Sequence, residues 1–158
     1  MYNLSEGHDT AGAMNRQAVD VLQILLVEDN PGDVRLLQEA LKEARVRCCL
    51  HVTKDGEDAL NFLRQEGSYA GIARPDILLL DLNMPKKGGL ELLTEIKRDH
   101  DLRSIPVAIL TSSQARADID QTLGLYANCY LGKPVDSGRL LLLLRMVRPD
   151  AADTEDHE

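Results

Sequence analysis

Apolar residues fall along this chain in two alternating rhythms. Leu22–Val27, interrupted only by Gln23, Ile77–Leu80 and Val107–Leu110 are runs without polar alternation, which predicts strands buried on both faces. Cys48–Thr53 and Cys129–Gly132 predict two further short strands, and Val107 to Thr111 completes the fourth. Between the runs, Val34, Leu37, Leu41 and Ala44 recur at spacings of three and four and predict a helix with one apolar face. The same rhythm predicts helices around Ala59, Leu60 and Leu63, around Leu90, Leu93 and Ile96, around Ala115, Ile119, Leu123 and Tyr126, and through Leu140–Leu144. Five strands alternating with five helices place the chain in the α/β class, as a doubly wound parallel sheet with right-handed crossovers.

Local chemistry punctuates this pattern. In Asn30-Pro31-Gly32-Asp33, Asn30 can cap a helix, Pro31 suits its first position and Asp33 favours the positive end of its dipole. Asp55-Gly56 turns the second strand into a helix that Gly67 is expected to end, and Asp136 caps the last helix. Residues 1–20 lack sustained periodicity and are expected to form a mobile arm, residues 21–148 one folded domain, and residues 149–158 an acidic tail. No internal repeat beyond the strand–helix alternation is present.

Composition narrows the function classes. At 158 residues, 44% hydrophobic and 28% charged, the chain can bury a core as an ordinary soluble domain. Its net charge of -8 argues against a nucleic-acid footprint and for a cationic partner surface or a divalent metal. Cys48, Cys49 and Cys129 form no metal or redox spacing and read as reduced thiols of a cytoplasmic protein. The apolar runs are too short to span a bilayer, and no signal-peptide pattern opens the chain, so neither export by that route nor a membrane is expected. His8, His51, His100 and His157 show no ligand spacing and receive no role.

The candidate chemistry lies where the strands end. Asp81 closes the central run, Glu28-Asp29 the first, Thr111 the fourth, and Lys133 follows the fifth. Parallel strands bring these ends to one edge, which is where open α/β sheets bind ligands. Taken alone, Asp81 could equally cap a turn. Clustered carboxylates raise one another's pKa unless a cation compensates them, and an oxygen-only donor set suits magnesium. With Lys133 supplying charge and Thr111 a hydrogen bond, the edge would suit a phosphoryl group on a carboxylate.

The set Glu28-Asp29, Asp81, Thr111 and Lys133-Pro134, in that order on five strand–helix units, resembles the receiver domain of two-component response regulators over about Leu22 to Val147. Asn30-Pro31-Gly32-Asp33, Asp81-Leu82-Asn83-Met84-Pro85-Lys86-Lys87 and Asn128-Cys129-Tyr130 resemble more narrowly the single-domain regulators that partner phytochrome-type histidine kinases. The resemblance implies a flavodoxin-like sheet of strand order 2-1-3-4-5. It implies that Asp81 accepts a phosphoryl group from a kinase phosphohistidine. Magnesium would be held by Asp29, Asp81 and the backbone carbonyl of Asn83, with Glu28 acting through water. It further implies that Lys133 pairs with the phosphoryl group before a cis Pro134, that Thr111 swings to bond a phosphoryl oxygen, and that Tyr130 moves inward as the switch. Ser112 would keep the approach to Asp81 small, while Asn83 and Ser113 would tune dephosphorylation. Gly132 stands where a hydroxyl residue is common, and Leu125-Tyr126-Ala127 where a small turn is usual.

Two other classes compete. A haloacid-dehalogenase-type phosphatase also uses a strand-end Asp nucleophile, but expects a second Asp where this chain has Asn83. A receiver-like adaptor that is never phosphorylated would lack one of the acidic, Asp or Lys positions, and all are present. The leading expectation is thus a non-enzymatic phosphoacceptor that signals through partners. Five consecutive leucines, Leu140–Leu144, exceed what one helical face needs, so Leu141 or Leu142 must point away from the core. That surplus suggests an interface, and the resemblance implies its place: related receivers often dimerise or bind partners through the face made by the fourth helix, the fifth strand and the last helix, so a homodimer is expected there.

Overall fold

A computed structural model of the chain describes residues 2–3, 21–82, 88–111 and 129–149. Its strands are β1 (Tyr2–Asn3), β2 (Leu22–Val27), β3 (Cys48–Thr53), β4 (Ile77–Asp81), β5 (Val107–Thr111) and β6 (Cys129–Gly132). The described α-helices are α1 (Pro31–Ala44), α2 (Gly56–Leu63), α3 (Gly89–Arg98) and α4 (Ser137–Val147). The helix expected around Ala115 to Tyr126 lies outside the described residues.

The sheet order is β1-β3-β2-β4-β5-β6. Strands β2 to β6 are parallel throughout, and counted among themselves they stand in the expected order 2-1-3-4-5. The short β1 adds an antiparallel edge, pairing Tyr2 with Leu50 and Asn3 with Cys49. Thus Tyr2 and Asn3, inside the stretch expected to be an arm, lie on the sheet.

Successive side chains of a strand point to opposite faces, and the sheet therefore carries two cores. Leu22, Ile24, Leu26, Ile77, Leu79 and Leu110 pack beneath α1 and α4, with Leu37, Leu41, Leu140 and Leu144. Leu25, Val27, Leu78, Leu80, Val107 and Ile109 pack on the other face beneath α2 and α3, with Phe62, Leu92, Leu93 and Ile96. Burial on both faces explains why these strands read as unbroken apolar runs.

Caps stop and start the helices as their side chains dictate. Asn30 Oδ1 accepts from the backbone N–H of Gly32 at 2.8 Å and of Asp33 at 3.3 Å, opening α1 with Pro31 in its first turn. Asp55 accepts from Asp58 N at 2.8 Å, and Asp136 from Arg139 N at 2.9 Å. The end of α2 differs from expectation. It stops at Leu63, Gln65 takes the left-handed conformation at φ 58°, and Gly67 opens a 3₁₀ turn over Gly67–Tyr69. Arg45 closes α1 in the same way, at φ 58°. A non-glycine residue in this region costs conformational energy, which its own sequence position does not advertise.

Two leucine assignments also sharpen. Leu90 is not a core residue: it is 53% exposed, and Leu92, Leu93 and Ile96 form the buried stripe of α3. On α4, Leu140, Leu143 and Leu144 are buried and Val147 packs against them, as the pattern predicts. Of the two surplus leucines, Leu141 packs partly against the core while Leu142 is 63% exposed.

That contrast is testable on one helix. Leu144→Ala should cost roughly 2–5 kcal/mol in denaturant unfolding, as buried leucine truncations do. Leu142→Ala should stay within about 0.5 kcal/mol. Equal losses would contradict the inward stripe.

Candidate functional site

Register sets the site. Val27 lies beside Leu80, Asp81 beside Leu110, and Thr111 beside Gly132, so the carboxyl ends of four neighbouring strands stand level. The polar residues fall at this level: Asp81 and Thr111 end their strands, and Glu28 and Lys133 are the first residues beyond theirs. Glu28 N donates to Thr53 O at 2.9 Å and Lys133 N to Thr111 O at 2.7 Å, so both departing segments remain tied to the sheet.

Glu28, Asp81 and Thr111 are buried polar residues, whereas Asp29 is exposed. Glu28, Asp29 and Asp81 each offer a carboxylate oxygen, all within 4.8 Å of one another. The Lys133 ammonium lies 2.9 Å from Glu28 Oε1, 2.9 Å from Asp33 Oδ2 and 3.4 Å from Asp81 Oδ2. Glu28 also accepts from Asn30 N at 3.3 Å. The Lys133-Pro134 peptide is cis.

Burial pushes the Glu28 carboxyl up to about 7, with Asp81 adding to the rise and Lys133 opposing it. Burial alone would lower Lys133, but the carboxylates of Asp33, Glu28 and Asp81 outweigh it and hold the ammonium above the ordinary lysine range. The lysine is therefore charged throughout the working pH range. Among the described residues, the Lys133 ammonium faces more carboxylates than its one charge offsets, which is the condition a divalent cation relieves.

The donor set fits magnesium, a hard cation that takes oxygen ligands and binds through one or two carboxylates. Gly89 packs closely against the backbone of Asp81 and Leu82. A Cβ there would meet Asp81 O and Leu82 Cα at 2.7 Å, so α3 can begin this close to the strand end only with glycine.

The structure brings together Glu28, Asp29, Asp81 and Lys133 of the residues expected at this site. Thr111 lies at the same strand-end level. Of Tyr130 it describes the backbone, in register with Ile109, and Asn83, Ser112 and Ser113 lie outside the described residues. The residue that sequence reasoning missed is Asp33, placed in the first turn of α1 as a dipole partner but found on Lys133. Its signal was its place five residues after Glu28, at the start of the helix leaving the same edge.

Residues 24–145 match the family model described as the response regulator receiver domain. The chain is 46% identical over 125 residues to response regulator Rcp1 of Synechocystis sp., covering 79% of this chain and 83% of that protein. The structure resembles that of the phosphorylated cyanobacterial phytochrome response regulator RcpA, with TM-score 0.69 and 42% identity, covering 85% of this chain and 96% of that one. It also resembles the Mn(2+)-bound form of Rcp1, with TM-score 0.66 and 43% identity over 82% of this chain and 91% of that one.

The Glu28 shift has a measurable sign in the metal-free protein. Unfolded, the carboxyl titrates near 4.5, and folded, near 7, so between those values only the folded chain holds the proton. The stabilisation is full below 4.5 and is lost as pH rises through 7. Glu28→Gln should remove this dependence, so its stability relative to wild type should be higher at pH 8.5 than at pH 5.5. Denaturant unfolding at the two pH values in chelator checks it, and a constant difference would refute the shift.

Proposed function

The chain belongs to the response regulator receiver family, and on that premise we propose that Asp81 accepts a phosphoryl group from a phytochrome-type histidine kinase in a two-component pathway. The observation that carries this reading is the Lys133 ammonium 3.4 Å from the buried Asp81 carboxylate, beside two further strand-end carboxylates. In the transfer, a carboxylate oxygen of Asp81 attacks the phosphorus of a phosphohistidine. The P–O bond forms as the P–N bond breaks, and the imidazole leaves. Water later cleaves the acyl phosphate, returning Asp81 and inorganic phosphate.

Asp29, Asp81 and the carbonyl of Asn83 would hold magnesium directly, with Glu28 acting through water. When bound, the ion supplies positive charge to the phosphoryl oxygens. Lys133 offsets the charge of the phosphorylated carboxylate, and the Thr111 hydroxyl donates to a phosphoryl oxygen. Tyr130 then follows Thr111 inward, carrying the change to the outer face of β6 and α4. The protein thus assists its own phosphorylation and dephosphorylation without being an enzyme toward another substrate. Cytoplasmic residence accords with this reading, since Cys48 and Cys49 are free thiols and no described helix is long and apolar enough to cross a membrane.

Incubation with acetyl phosphate and magnesium, followed by intact mass, tests the site. Wild type should gain one base-labile phosphoryl group, Asp81→Asn none while remaining folded, and Asp29→Ala far less than Glu28→Ala at limiting magnesium. Equal labelling of Asp81→Asn would overturn the assignment.

The outer side of α4 supports a homodimer. Leu142 is 63% and Met146 79% exposed, one turn apart on the helix that follows the strand carrying Tyr130. Sedimentation of wild type and a Leu142→Asp, Met146→Asp double variant, with and without beryllofluoride, measures this. Dimerisation that shifts with beryllofluoride in wild type and is lost in the double variant is expected; a double variant that dimerises unchanged would rule the face out.

A further inference from the structure

The resting position of Lys133 is set by more carboxylates than the phosphoryl chemistry needs. An ammonium has three donors, and here three carboxylates surround it. The 2.9 Å contacts to Glu28 and Asp33 are charge-assisted hydrogen bonds, while the 3.4 Å approach to Asp81 lies beyond that range. In the unphosphorylated chain the lysine is thus bonded to its two neighbours and only electrostatically attracted to the acceptor. Glu28 has a second tie, accepting from Asn30 N. Asp33 is fixed from α1, where the Asn30 side chain caps its backbone N–H, and its own carboxylate reaches 100 positions along the chain to Lys133.

We propose that Asp33 is a positioning residue that competes with the phosphorylated Asp81 for the Lys133 ammonium, and so sets how tightly the site retains phosphoryl charge. The inference rests on the phosphoacceptor reading above. A dianionic phosphoryl group on Asp81 draws the ammonium inward, and each hydrogen bond that Asp33 keeps opposes that movement. The competition is modest in size, because the Lys133 and Asp33 side chains are 20% and 33% exposed and water screens their attraction. Neutralising Asp33 frees the lysine for the phosphoryl group.

Calorimetric titration with beryllofluoride at saturating magnesium provides the test. Asp33→Asn should bind on the order of three- to tenfold tighter than wild type, the size of coupling expected between contacting charged groups. Asp33→Glu, which restores the carboxylate, should return towards the wild-type value. In a Lys133→Met background, Asp33→Asn should have no effect. Unchanged or weaker binding by Asp33→Asn overturns the proposal, as does equal tightening in the Lys133→Met background, which would mean direct repulsion between Asp33 and the ligand. If the Lys133→Met proteins bind too weakly to titrate, the ammonium ¹H–¹⁵N resonance of Lys133 in the free protein decides. It should move in Asp33→Asn and return in Asp33→Glu, and a resonance unmoved by Asp33→Asn overturns the proposal. A wild type that takes up no beryllofluoride would instead overturn the phosphoacceptor reading itself.

Discussion

Among the described residues, the Lys133 ammonium is paired with the carboxylates at the carboxyl edge of this sheet, and the architecture around it serves to keep them together. Two like charges about 4 Å apart repel by about 4 kcal/mol at an effective dielectric of 20, so Glu28 and Asp81 share this edge either with a cation beside them or with Glu28 holding its proton. Their proximity is imposed by the parallel register, which levels the strand ends, and by the buried runs that fix that register. A slip by one residue in β4 would turn Asp81 to the opposite face of the sheet. The site and the core are therefore one constraint seen from two ends.

That constraint explains why so much could be read from sequence. A strand buried on both faces has no alternative to an apolar run, and the described portions of all five parallel strands fall where those runs predict. Helix starts were legible because Asn30, Asp55 and Asp136 carry the capping oxygen in their own side chains. Helix ends were less legible. The left-handed residues closing α1 and following α2 are Arg45 and Gln65, neither of which has an intrinsic preference for that conformation, and Gly67 drew the expected boundary too far along. Leu90 was misplaced because the 3.6-residue rhythm of α3 can be started from either of two leucines.

The acidic cluster and Lys133 were legible because strand ends in a parallel sheet converge by necessity. Asp33 was not, since a first-turn acid has a sufficient explanation in the helix dipole, and only coordinates reveal that its carboxylate turns to Lys133. The contact of Gly89 with the Asp81 backbone depends on how closely α3 approaches the strand, which the sequence does not disclose.

The division of the interior into two cores, one on each face of a single sheet, has a consequence for how such a molecule can change over generations. Among the described residues, the buried side chains beneath α1 and α4 form a cluster separate from those beneath α2 and α3, with the strand backbone between them. Substitutions accumulated on one side need no matching substitutions on the other. A lineage can resculpt one flank for a new acquaintance while the opposite flank, and the edge both support, inherit their old packing untouched.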